Sequence, residues 1–218
     1  MRARLVTILL SLAVGVAGCG DDGDGGVALP KGPTDMAKAR AIVLKASDFP
    51  PGWTSEPAGT GTSEETGDNF RSCMGLLPQA SPVAESPTFN TTGSMTVDSS
   101  ATVGLSVRLV DQDFAAFAGE KALPCVLERF DAQAKRQTEA TFGPGKAERL
   151  GAAHLGDATS AIRINSIAVA GDQQIPFFLD LVVVKKGRVG VTFSFANAPD
   201  PFPSDLATEL ARKVVDRA

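Results

Sequence analysis

Three cysteines, one histidine and a scatter of carboxylates are the residues of this chain with chemistry to offer. His154 is the sole imidazole, so zinc sites built from several histidines are excluded, and a Ser-His-Asp triad would have to use it. Asp157 follows in "AHLGD", but no G-x-S-x-G supplies a nucleophile, and His154 reads as a turn or surface residue. "GPGKA", Gly143 to Ala147, imitates the end of a phosphate loop. Ala140 stands where the first glycine should be and Ala147 where a hydroxyl is needed, so the stretch reads as a turn. Paired carboxylates could act as acid and base on a sugar, but no spacing singles out a pair. The absence of Tyr, beside one Trp and 12 Phe, also argues against a carbohydrate groove. Asn90-Thr91-Thr92 matches a glycosylation sequon and carries little information. Trp53, after two prolines, is a candidate for the mouth of a ligand site, with packing of the first helix onto a sheet as the plainer role. No metal ligands and no cofactor motif are expected.

The first cysteine has a different setting. Arg2 and Arg4 precede an apolar run, Leu5 to Val16, which ends in Ala17 and Gly18. This is the layout of an export signal, and at about a dozen residues the run is too short to span a bilayer as a helix. Val16-Ala17-Gly18-Cys19 resembles the lipobox of bacterial lipoproteins, in which the cysteine becomes the first mature residue and carries a diacylglycerol thioether. That resemblance makes Cys19 the lipid attachment point, and two or more acyl chains suffice for stable anchoring. Residues 1–18 are then a signal peptide. Residues 19–33 comprise the lipidated cysteine and a flexible, solvated Gly/Asp tether. The run "DDGDGG" lacks the spaced ligands and distal glutamate of an EF-hand loop.

With Cys19 acylated, Cys73 and Cys125 form an even pair, expected to be joined in an oxidising compartment; no C-x-x-C spacing suggests a redox role. Loss of Arg2 and Arg4 leaves 19 of the 21 basic residues against 25 acidic ones, a net charge of −6. Nucleic acid and anionic headgroups, which need clustered Lys and Arg, are poor partners for such a surface. The remaining 34–218 fit one domain, expected to be a monomer.

Periodicity then predicts the elements. A helix begins at Thr34 with Met36, Ala39, Ile42 and Val43 on one face, and ends before the rigid "DFPPGW" turn. A short helix from about Asp68 to Leu77 carries Cys73, between a polar loop over 54–67 and a proline-rich, loop-like stretch over 78–98 with room for a short strand near Phe89 or over 95–97. Val103, Leu105, Val107 and Leu109 alternate with polar residues and predict a strand that buries all four. Asp111 or Asp113 can cap a helix using Phe114 and Phe117, and Pro124 opens another carrying Cys125, Val126, Leu127 and Phe130. Strands follow near 147–150 and over 159–169. A hairpin then joins "PFFLDLVVV" to "VGVTFSFA" through Lys186-Gly187. Ser204 can cap a last helix whose face is Leu206, Leu210 and Val214. The expected fold is α+β: an antiparallel sheet of about five strands flanked by helices on one side.

The lipobox, "LKASDFPPGW" (Leu44 to Trp53), the two further cysteines, "LGDATSAIRI" (Leu155 to Ile164) and "VGVTFSFA" before a terminal helix resemble features of a group of actinobacterial exported proteins. The group contains small lipoproteins and the extracellular sensor domains of transmembrane serine/threonine kinases. The resemblance implies a helix-flanked antiparallel sheet with a central cleft for a small molecule or cell-envelope component. This chain departs from the kinase sensors in having one candidate disulfide, not two, and no kinase. The expected role is a non-enzymatic, membrane-anchored extracytoplasmic module that binds a small apolar or envelope ligand. The alternative is a subunit that docks on a membrane or secretion partner without a ligand cavity. An apolar pocket of several hundred cubic ångströms favours the first, and a flat exposed apolar patch the second.

Overall fold

A computed structural model describes residues 33–57, 71–76, 83–137 and 140–218. Cys19, the signal peptide and most of the tether lie outside the described residues, as do most of the loop expected over 54–67 and the first residues of the loop expected over 78–98, whose described part is mostly strand. Helix α1 (Pro33–Ile42) is followed by a single 3₁₀ turn (Ala46–Asp48) and then by four strands: β1 (Trp53–Glu56), β2 (Val83–Glu85), β3 (Thr88–Thr91) and β4 (Thr96–Val103). Helices α2 (Val107–Ala118) and α3 (Ala122–Ala134) come next. The chain then forms β5 (Thr141–Phe142), β6 (Lys146–Leu150), β7 (Ala158–Ala170), β8 (Gln173–Lys186) and β9 (Val189–Asn197), and ends in α4 (Ser204–Asp216). Of the predicted helix over 68–77, residues 71–73 are described and helical.

The strands make one antiparallel sheet in the order β1-β3-β4-β9-β8-β7-β5, with β2 on β4 and β6 on β7. Nine strands, not about five, are present among the described residues, because β1, β2 and β5 have only four, three and two residues and show no periodicity to read. Between β2 and β3 the register gains one residue: Glu85 faces Ser100 and Phe89 faces Val97. Pro87, which has no N–H to offer, sits in that bulge.

Helices cover both faces of the sheet, not one. Val189, Val191, Phe193 and Phe195 of β9 pair with residues of β4 and β8 whose side chains share their face, and α1 and α4 close this first core with Ile42, Leu44, Leu210 and Val214. The alternate positions, Leu179 and Leu181 of β8 with Ile162 and Ile164 of β7, face the other way. There they meet Phe117 of α2 and Val126 and Phe130 of α3 in a second core. The sign of this was in the sequence: "FFLDLVVV" is apolar at both parities, the mark of a strand buried on two sides. Each fully buried Phe contributes roughly 1.5–3 kcal/mol relative to exposure.

Local differences have local causes. The strand expected through Leu109 stops at Val103, and Ser106, not Asp111 or Asp113, caps α2 by accepting from the Leu109 N–H at 3.3 Å. Leu105 and Val107 are consequently exposed, not buried. Ser204 is the first residue of α4, not its cap; Pro203 holds that position. The hairpin forms as expected, with Gly187 at φ +56°. At the start of the "DFPPGW" turn, Asp48 receives both arms of Arg217 at 2.8 and 2.9 Å and the Lys45 N–H at 2.9 Å, which ties the 3₁₀ turn after α1 to the residue that ends α4. Burial alone would raise the Asp48 pKa, but these hydrogen bonds and the cations Arg217 and Lys213 hold it below its ordinary value.

Candidate functional site

Small side chains create the groove. Where α4 crosses β7, β8 and β9, it presents Ala207 and Ala211, strand β7 presents Ala161, and the loop after β6 brings Gly151, Ala152 and Ala153. None of these can fill the angle between helix and sheet, and a cavity of about 160 Å³ remains. Leu150, Leu155, Val182 and Phe195 complete its apolar walls, while Ser204 and Thr208 place hydroxyls along α4.

The loop wall is fixed in place. Thr159 Oγ1 accepts from the Leu155 N–H at 2.9 Å and donates to the Leu155 carbonyl at 2.8 Å. Gly156 turns the chain at φ +59°, and a Cβ there would lie 2.5 Å from the Lys185 carbonyl oxygen. Asp157 then bonds back to the same carbonyl at 2.7 Å through its N–H.

At one side of the groove, Arg163 and Asp180 face each other across β7 and β8. Their bidentate pair has N···O distances of 2.6 and 2.7 Å, and the guanidinium also lies 5.9 Å from the Phe178 ring centre. The hydrogen bonds that Arg163 donates to the Asp180 carboxylate raise the Arg163 pKa, so the cation is permanent. Paired in this way, the two charges cancel. The groove suits an uncharged apolar group that can take a hydrogen bond at its edge.

A polar cluster occupies the opposite face. Asp98 of β4 sits beside Ser194 of β9 in register and accepts its hydroxyl, with Glu85 of β2 and Arg129 of α3 close enough to act on it electrostatically. Burial pushes the Asp98 pKa up to about 7, Glu85 adds to the rise, and Arg129 opposes it. Burial also raises Glu85 and lowers Arg129 to about 10, the two carboxylates partly restoring the latter. A carboxyl that holds its proton longer in the folded than in the unfolded chain stabilises the fold below its folded pKa. The native state binds more protons than the unfolded one between about pH 4 and 7, so stability should fall as pH rises through that window. Urea titrations at a series of pH values should show the decline, and Asp98→Asn should flatten it. An equal slope in that variant would remove Asp98 as the cause.

The residues singled out in the sequence fall in different places. Cys73 and Cys125 are joined, which staples the helical turn at 71–73 to the first turn of α3. Trp53 does not line the groove; it packs at 4.8 Å from Phe49 and 6.5 Å from Phe202, at the margin of the first core. His154 is exposed in the loop that forms the groove wall. Asn90 is buried in β3, with neither atom of its amide bonded among the described residues. Of "GPGKA", Gly143 to Gly145 form the turn between β5 and β6, and Lys146 and Ala147 open β6. The groove residues were missed as a set, although "LGDATSAIRI" supplies Leu155, Thr159, Ala161 and Arg163 to it. The Glu85, Asp98 and Arg129 cluster has no sequence signature. Among the described residues there is no group of His, Cys, Asp and Glu able to hold a metal, and no helix is long and apolar enough to cross a membrane.

No protein-family model and no curated protein matches the chain. Among solved structures it is similar to the extracellular domain of PknH from Mycobacterium tuberculosis, with a TM-score of 0.41 and 11% identity over 86% of this chain and 98% of that one. It is also similar to LpqN, involved in cell envelope biogenesis of Mycobacterium tuberculosis, with a TM-score of 0.28 and 13% identity over 78% of each chain.

Proposed function

We propose that this chain is a non-enzymatic binding module held at the outer face of the cytoplasmic membrane by lipid on Cys19, and that the groove beside Arg163 receives a small apolar group of an envelope molecule. The observation that carries the reading is the groove itself, apolar-walled, electrically neutral and lined by small residues on three separate segments. Its volume of about 160 Å³ is below the several hundred cubic ångströms expected for a whole ligand and so limits the occupant to part of a molecule. Cavities for whole drug-sized ligands run from about 300 Å³ upward, whereas about 150 Å³ suffices for a single benzene-sized group. One ring or a short stretch of alkyl chain fits, with the rest of the molecule outside.

Native mass spectrometry tests this. A soluble form beginning at Val27, purified from its own host, should carry added mass, and Ala207→Leu, which fills the groove from a half-buried position, should remove it. Bare protein in both preparations overturns the reading, and so does added mass that survives the filling.

A further inference from the structure

We propose that the corner formed by Leu105, Val107 and Arg108 rests on the phospholipid surface beside the anchor, so that the domain lies on the bilayer in one orientation. The proposal rests on Cys19 being lipidated, and its own support comes from the folded part of the chain.

The corner is held outward. Gly104 donates its N–H to the Arg188 carbonyl at 2.8 Å and accepts Nε of the same arginine at 2.8 Å. A Cβ on Gly104 would lie 2.4 Å from a methyl of Val110, so the backbone is already packed against α2 and Leu105 has no way in. Leu105 is 43% and Val107 46% exposed, and the remaining exposed large aliphatic among the described residues, Ile167, pairs with Pro176 toward the far end of the sheet. Two aliphatic side chains that the alternating pattern would send to the core stand together in solvent instead. Exposed aliphatics beside a cation are what the headgroup boundary of a bilayer accepts.

The same arginine marks where the tether arrives. Nη2 of Arg188 binds Asp35 at 2.9 Å in the first turn of α1, two residues beyond Pro33, where the described chain begins. The 14 residues from Cys19 to Gly32 span no more than about 50 Å when fully extended, and they end at this corner. An anchored chain therefore presents this end to the membrane more readily than any other.

Charge at the corner agrees, despite the acidic surface as a whole. Asp35 is taken by Arg188, Asp111 by Lys185, and Asp157 accepts the Gly187 N–H at 2.7 Å. Arg108 is exposed and makes no ion pair among the described residues. Because the anchor already confines the domain to the surface, a contact too weak to recruit a free protein is enough to orient it.

The test uses the full lipidated chain in vesicles of three parts phosphatidylcholine to one part phosphatidylglycerol, compared with the soluble Cys19→Ser form. Amides 105–108 precede the first intrahelical hydrogen bonds of α2 and exchange with solvent readily. On vesicles their exchange should slow by at least about fivefold. The Leu105→Asp, Val107→Asp double variant should still float with the vesicles but exchange as fast as the soluble form, with β8 protection unchanged to show that it folds. Wild-type protein that floats yet exchanges like the soluble form overturns the docking and leaves the anchor intact. Protein that does not float overturns both. Slowing seen in native membranes but not in these vesicles replaces the lipid surface with a protein partner and overturns the proposal.

Discussion

Arg163→Ala is expected to cost about 3–5 kcal/mol of stability, far more than the ion pair itself contributes. The reason lies with the partner. The Asp180 side chain is 7% exposed, and without the guanidinium its carboxylate remains between Val182 and Phe195 with no countercharge. The double variant Arg163→Met, Asp180→Leu removes both charges at similar volume, so it should fall within about 2 kcal/mol of the wild type or exceed it. Urea unfolding of the three proteins decides the matter. A loss below about 1 kcal/mol for the single variant would mean that water enters through the groove and rehydrates the acid, making the pair a surface feature. In the double variant the groove keeps its apolar walls, so any bound mass seen in the wild type should persist.

Opening the Cys73–Cys125 bond should lower stability by about 4 kcal/mol on the chain-entropy estimate. The two cysteines are 52 residues apart, so the bond removes a large set of unfolded conformations while adding little to the folded one. Cys125 is already buried in the second core beside Val126 and Phe130. Reduced protein in mild conditions should therefore keep its near-ultraviolet circular dichroism while its urea midpoint drops, and Cys73→Ala with Cys125→Ala should behave alike. An unchanged midpoint would show that the unfolded chain is already held together in that region. Such bonds persist in oxidising compartments.

Long elements were legible and short ones were not. The hairpin of β8 and β9, the strand β7 and helix α4 each repeat a pattern over nine residues or more, and a turn residue with one demanding conformation, Gly187, joins two of them. The segment 103–109 misled because alternation continues past the point where the strand ends. Gly104, tightly packed against Val110, breaks the strand there, and that steric fact is tertiary. Two-sided burial is written in the apolar run of β8, interrupted only by Asp180, which also satisfies the one-sided pattern expected of the hairpin. The groove escaped notice for a plainer reason: it is made of what alanine and glycine lack, and a missing side chain leaves no mark in a sequence. The Asp98 cluster depends on strand register and helix placement, joining residues 85, 98 and 129.

The short pieces at the sheet's margins bear on what happens when two copies of the molecule meet. The longest strands, β7 and β8, have 13 and 14 residues and are paired on both sides, whereas the margin is divided among β1, β2, β5 and β6, none longer than five. A long open border would let neighbouring copies zip together into fibres. Broken into stubs, and interrupted by the proline bulge between β2 and β3, the described margin offers no template of useful length, so neighbouring copies can collide and stay separate.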